Sequence, residues 1–265
     1  NNIYCKHWFN KNFNYNIIAN YLNKCKYPFL KLNDGQILHP GDVKRVINGE
    51  LTIQKFSHDF DIASRTAIIN HLIHKYNLSN YLEIGVRDGK NYNKINAKNK
   101  TGVDPEPTNN IVGLHKMTSE DFFKKNKVFY DIMFIDGLHL EHQVDIDIKN
   151  CLNFMSDGGF IIMHDCNPPT EFHQRENYEV EGKFTSWNGI PPWNGTVWKS
   201  FAKLRINNPD LDLCCVDCDW GVGIIRKKPS SVFALSANLD FNFLNNNRIK
   251  LLNLISVNNF INKFQ

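Results

Sequence analysis

The sequence predicts an α/β fold: a Rossmann-like, seven-stranded doubly wound sheet with one antiparallel edge strand and helices on both faces. Three observations carry this. From Asp59 onward short apolar runs alternate with segments of helical period. Tyr130-Asp131-Ile132-Met133-Phe134-Ile135-Asp136-Gly137 is a continuous apolar run bounded by acids, which suits a strand buried on both faces of a parallel sheet. Glu83-Ile84-Gly85-Val86-Arg87-Asp88-Gly89 closes an earlier strand with glycines four apart, the chemistry of a strand-to-helix turn that a ligand approaches closely.

The elements follow in order. Residues 1–56 read as an N-terminal extension with one or two short helices, broken by Gly35, Pro40, Gly41 and Gly49. A helix then carries Ile62, Ala63, Ala67, Ile68, Leu72 and Ile73 on one face, with Ser57 or Asp59 as its cap. Strand one is Asn80–Ile84, strand two lies near Thr101–Val103, a short third strand near Leu114–Met117, and Asp121 opens a helix. After strand four comes a helix from Glu141 to Phe154 with Val144, Ile148, Cys151, Leu152 and Met155 inward, then a turn at Ser156-Asp157-Gly158-Gly159. Strand five, Phe160–Met163, ends on His164-Asp165. About thirty aperiodic residues follow, and a loop of that length in a compact domain is a functional or mobile one. Thr196–Arg205 reads as a helix, and Leu211–Val216 and Val222–Arg226 as strands joined by a tight turn at Asp219-Trp220-Gly221. This places one domain at 57–228 and a helical C-terminal extension at 229–265, whose apolar face packs on the domain or on a partner subunit.

Bulk properties narrow the classes. Formal net charge is +4, and residues 1–50 supply that surplus, with seven Lys/Arg against Asp34, Asp42 and Glu50. So small an excess is the mark of a solvated face and argues against nucleic acid as the partner. No run approaches the roughly 18 apolar residues of a membrane span. Seven scattered cysteines (5, 25, 151, 166, 214, 215, 218) predict a reducing, cytoplasmic setting. Cys214-Cys215-x-x-Cys218 lacks a second ligand pair at zinc spacing and reads as strand packing.

The loop at Glu83 carries the chemistry. A dinucleotide site places a glycine where Glu83 stands, and a carboxylate there would repel a diphosphate. The same carboxylate suits a cofactor bearing an amino-acid ammonium group and no phosphate, which describes S-adenosylmethionine. Asp104, fifteen residues past Gly89 at the end of strand two, offers a carboxylate to two ribose hydroxyls. From Ser57 to Lys228 the chain resembles a class I S-adenosylmethionine-dependent methyltransferase. The motifs are Glu83-x-Gly85-x-x-x-Gly89, Asp104, Phe134-Ile135-Asp136-Gly137-x-His139, Asp157-Gly158-Gly159 and His164-Asp165. Within that superfamily it is similar to small-molecule and sugar O-methyltransferases of the methyltransferase-24 type.

The resemblance implies that Glu83 recognises the amino-acid end of the cofactor. Gly85, Arg87 and Gly89 approach it, Asp104 holds its ribose, Ser119 with Glu120 lies beside the adenine, and Asp136 also touches it. Plain structural roles stand beside these: an ordinary turn for the glycines, a cap or turn residue for Asp104, an N-cap for Ser119. A hydroxyl acceptor needs a base or a metal. His139 and His164 are the candidate bases, with helix capping and strand-end packing as their alternatives, and Asp136 joins them as a catalytic candidate. Asp136, Asp165 and Asn167 form an all-oxygen set that suits Mg²⁺. Trp187, Trp193 and Trp198 are candidates for lining an acceptor pocket. Three readings therefore stand: O-methylation of a small polar acceptor such as a sugar, a nucleic-acid or protein methyltransferase docking through the basic N-terminal segment, and a non-catalytic cofactor-binding protein.

Overall fold

Ser64 begins the first described helix by accepting a hydrogen bond from Ala67 N at 3.3 Å, and Asn77, left-handed at φ 51°, ends it. The computed structural model describes residues 64–169, 171, 173–177, 193–230 and 238–265, together with the backbone of 30–31 and 37–38. The caps expected at Ser57 and Asp59, and the helices expected near the N-terminus, lie outside the described residues. Two short strands there, β1 (Leu30–Lys31) and β2 (Ile37–Leu38), pair antiparallel.

Helix α1 (Arg65–Tyr76) buries Ile68, Ile69, Leu72 and Ile73. It is followed by β3 (Asn80–Ile84), β4 (Asn99–Val103), β5 (Leu114–His115), α2 (Ser119–Lys125), β6 (Tyr130–Ile135) and α3 (Glu141–Asn153). Then come β7 (Met155–Met163), α4 (Val197–Asn207), β8 (Leu211–Val216), β9 (Val222–Lys227), α5 (Phe241–Leu252), β10 (Leu254–Ile255) and α6 (Val257–Lys263). The sheet order is β10-β8-β9-β7-β6-β3-β4-β5, parallel except for β9.

The doubly wound sheet is as expected, with two differences. The reversed strand β9 is not at the edge, because the β8–β9 hairpin folds back and inserts β9 between β7 and β8. An eighth strand, β10, closes that side: Asn253 turns left-handed (φ 45°), ends α5 and lets Leu254 pair beside Cys215. The Asp157-Gly158-Gly159 turn is instead an irregularity within β7, where the pairing with β6 jumps from Tyr130↔Met155 to Ile132↔Phe160.

Alternation along the strands feeds two cores. Met133, Ile161 and Cys215 pack with Phe122, Val144, Phe201, Leu244 and Leu251 on one face. Phe134, Ile162 and Cys214 pack with Ile68, Leu72, Val257 and Phe260 on the other. Each such side chain contributes about 1.5–3 kcal/mol by burial. The C-terminal helices thus share the sheet's cores, and Cys214 and Cys215 are strand-packing residues as expected. No described helix is long and apolar enough to cross a membrane.

From β3 the chain steps outward through β4 and β5, then crosses to β6 on the other flank of β3. The carboxyl ends of β3 and β6 therefore border the crevice where such sheets take their ligands.

Candidate functional site

The β3 loop is shaped by close approaches. A Cβ on Gly85 (φ 86°) would collide with the carbonyl of Asp136, and one on Gly89 (φ 78°) would come within 2.8 Å of Ile111 Cδ1. Between them Arg87 is left-handed at φ 50°, although it has a side chain. Its N–H donates to Asp104 Oδ2 at 2.7 Å, and the Glu106 N–H donates to Asp104 Oδ1 at 2.8 Å. The Asp104 carboxylate, at the end of β4, is thereby fixed with a lone pair on each oxygen to spare.

Glu83 is buried within β3. Tyr81, on the same face of the strand, donates its hydroxyl to Glu83 Oε2, and Asn91 Nδ2 adds a second bond at 3.0 Å. Thr66 on α1 holds the other end of the Asn91 amide at 2.7 Å. Burial pushes the Glu83 carboxyl up to about 7, against the pull of its hydrogen bonds to Tyr81 and Asn91.

Beside this loop the ends of β6 and β7 bring four expected residues together. His164 Nδ1 lies 2.9 Å from Asp165 Oδ2 and 3.2 Å from Asp136 Oδ1. His139 Nε2 lies 3.4 Å from Asp136 Oδ1 and 3.5 Å from Asp165 Oδ2. Arg65 and Asp219 complete the group: Arg65 Nη1 is 2.7 Å from His164 Nε2 and 3.4 Å from Asp219 Oδ1, and Arg65 N donates to Asp219 Oδ2 at 2.9 Å. Burial resists ionisation of Asp136, yet His164, His139 and Arg65 hold its carboxyl far below the ordinary range. For His164, burial disfavours the charge but Asp165 and Asp136 outweigh it and raise its proton affinity. Arginine can only donate, so Arg65 Nη1 at 2.7 Å favours a lone pair on His164 Nε2, in opposition to the carboxylates, which favour a proton on both ring nitrogens.

His139 is held by the segment that precedes α4. Trp193 O lies 2.9 Å from His139 Nδ1, and the Trp193 ring stacks on the imidazole with centroids 5.0 Å apart. Thr196 N donates to His139 O at 2.8 Å, and a Cβ on Gly195 (φ 59°) would collide with that same carbonyl. A carbonyl can only accept, so Nδ1 carries a proton. Nε2 then meets two carboxylates and requires either a second proton or a cation between them.

Asp136, His139 and Asp165 each offer one donor atom, all within 4.8 Å of one another. Two carboxylates and an imidazole fit a divalent cation; the imidazole favours a first-row transition ion such as Mn²⁺ over Mg²⁺. Asn167 does not join them. Asp165 is left-handed (φ 59°), which turns the following chain away, and Asn167 Oδ1 accepts from Arg248 Nη1 at 2.6 Å while its Nδ2 donates to Asp217 at 2.9 Å. The amide beside Asp165 is that of Asn194, at 2.8 Å.

Ser119, the first residue of α2, donates to Asp147 Oδ1 at 2.5 Å; Thr118, not Ser119, caps that helix. Trp198 is fully buried and belongs to the core rather than to a pocket, whereas Trp187 lies outside the described residues. Sequence reasoning missed Arg65, Asn91, Asp147, Asn194 and Asp219. Asn194 had one available signal, the Trp-Asn-Gly-Thr run with its obligate glycine turn.

Residues 77–166 match a family described as "Methyltransferase domain". No curated protein matches the sequence. Among solved structures, the SAH-bound methyltransferase PaMTH1 of Podospora anserina is similar at 16% identity and TM-score 0.48, covering 84% of this chain and 100% of its own. The O-methyltransferase of Bacillus cereus in complex with SAH is similar at 13% identity and TM-score 0.43, covering 69% of this chain and 86% of its own. A putative caffeoyl-CoA O-methyltransferase of Staphylococcus aureus is similar at 17% identity and TM-score 0.45, covering 69% and 88%.

Proposed function

We propose that this class I S-adenosylmethionine-dependent methyltransferase methylates a hydroxyl oxygen of a small polar acceptor, with a sugar or glycan component as the favoured class. The observation that carries this reading is the convergence of Asp136 Oδ1, Asp165 Oδ2 and His139 Nε2 next to the Gly85–Gly89 loop. Methyl transfer is an in-line displacement that asks chiefly for positioning, and a neutral alcohol must also lose its proton. Asp104 would take the ribose hydroxyls and Glu83 the ammonium group. S-adenosylmethionine supplies the methyl group on its sulfonium.

At the acceptor end His139 is the better base. Its side chain keeps 19% of its surface, while His164, at 7%, is enclosed by Arg65, Asp136, Asp165 and Asp219 and serves to hold the carboxylates in place. Alternatively Asp136, His139 and Asp165 would hold a divalent cation; His139 Nε2 is then a ligand rather than the base, and the cation lowers the pKa of a coordinated hydroxyl. The half-buried Trp193 beside His139 supplies an aromatic surface of the kind on which sugars stack. The buried free cysteines fit a reducing, cytoplasmic compartment.

The test is transfer of isotopically labelled methyl from S-adenosylmethionine to panels of sugars, nucleic acids and proteins, with EDTA and Mn²⁺ or Mg²⁺ arms. Label in a sugar, lost on His139→Ala while SAH still binds, supports the reading. Label in nucleic acid or protein alone overturns the acceptor class, and full activity in chelator removes the cation.

A further inference from the structure

We propose that Asp147 is a positioning residue that fixes the direction of the Ser119 hydroxyl and so makes the base-binding end of the site select a purine with a 6-amino group. The inference rests on the adenosine reading above. Asp147 is a carboxylate on α3 with only 1% of its surface exposed, a costly choice at a position where an apolar side chain would pack. Its Oδ1 receives Ser119 Oγ at 2.5 Å and Gln143 Nε2 at 3.2 Å. Burial lifts its carboxyl to about 6, so at neutral pH it is ionised and can only accept.

The proton count at Ser119 follows. A serine hydroxyl has one proton and two lone pairs. The proton goes to Asp147, and one lone pair takes the Gln143 Nε2–H at 3.3 Å. One lone pair remains, and Ser119 is the more exposed of the two residues, at 8% against 1% for Asp147. Ser119 follows β5, the neighbour of β4, and Asp104 N is tied to His115 O of β5 at 3.2 Å. A nucleoside with its ribose on Asp104 and its base over the end of β5 therefore meets an acceptor at Ser119. An adenine amino group donates to that lone pair, whereas a 6-oxo group sets two acceptors against each other.

The experiment is calorimetric titration of the full chain with S-adenosylhomocysteine and with its 6-oxo analogue, S-inosylhomocysteine. The native chain should prefer the amino compound by roughly tenfold or more. Asp147→Leu frees the hydroxyl to rotate and donate, and should narrow the preference to about twofold. Ser119→Ala should weaken the amino compound and, by removing the opposing acceptor, bind the oxo compound at least as well as the native chain does. Melting temperatures report folding, and if Asp147→Leu does not fold the Ser119→Ala titrations decide. Equal binding of the two compounds by the native chain overturns the inference alone, as does a preference that either substitution leaves intact. If S-adenosylhomocysteine does not bind at all, the adenosine reading falls, and this inference with it.

Discussion

Asp104 and Arg87 are joined through the backbone: the Arg87 N–H, offered by a residue in the left-handed region at φ 50°, points at Asp104 Oδ2 from 2.7 Å. The loop thus orients the carboxylate before any ligand arrives, so binding energy is not spent on ordering it. Asp104→Ala should reduce affinity for S-adenosylhomocysteine by at least about a hundredfold, the loss expected for two hydrogen bonds to a charged acceptor. Calorimetry measures this. A loss below about fivefold would remove Asp104 from the ribose site.

Glu83 should couple stability and S-adenosylhomocysteine affinity to pH with opposite signs. Its carboxyl stands at about 7 in the fold against 4.5 ordinarily, chiefly through burial, with Asp136 adding and Tyr81, Asn91 and Arg65 opposing. The protonated form is therefore favoured in the folded state. Its stabilisation is full below about pH 4.5 and is lost as pH rises through about 7, by up to about 3 kcal/mol. An ammonium group bound at Glu83 favours the carboxylate, so S-adenosylhomocysteine affinity should rise between pH 6 and 8. Glu83→Gln should flatten both slopes over that window in denaturant and calorimetric titrations. A variant that keeps the native slopes would assign them to other groups.

The elements that were legible in the sequence were those with a local signal. β3 and β8 could be bounded to the residue, and the start of β6 as well, because each is an apolar run closed by an acid, a glycine or a turn. Asp136 and Asp165 could be placed in one crevice because parallel strands bring their carboxyl ends to one side of the sheet. Contacts without a local signal were not legible. Arg65 meets His164 and Asp219 across separations of 99 and 154 residues, and nothing in the helical period of α1 distinguishes it. Asn167 was grouped with Asp136 and Asp165 as a neighbour of Asp165 in sequence. The left-handed turn at Asp165 reverses that, aiming 167 at α5 and leaving the place beside Asp165 to a residue from the far end of the long loop.

Gly195 should prove as demanding as the glycines of the β3 loop. At φ 59° a side chain is strained, and its Cβ would overlap the His139 carbonyl that accepts from Thr196 N. Gly195→Ala should cost about 2–4 kcal/mol in denaturant unfolding, from strain plus overpacking. It should also reduce methyl transfer far more than S-adenosylhomocysteine affinity, because it displaces His139 and leaves Asp104 alone. Equal losses in both would mean that the substitution acts on the whole domain.

Arg248 ties α5 to the segment that follows β7. It is 2% exposed on α5, and its Nη1 donates to Asn167 Oδ1 at 2.6 Å and to Pro168 O at 2.8 Å. Its guanidinium also lies over the Phe241 ring at 5.7 Å. Arg248→Met keeps much of the packing but strands two buried acceptors, each worth about 1–3 kcal/mol. Stability should fall by about 2–5 kcal/mol, read as a drop in Tm of roughly 5–15 °C. Affinity for S-adenosylhomocysteine should stay within about twofold, since the β3 loop and Asp104 lie across the switch point from Asn167. A fall below about 1 kcal/mol would show that Asn167 and Pro168 find other donors, and that α5 holds the loop through its apolar face alone.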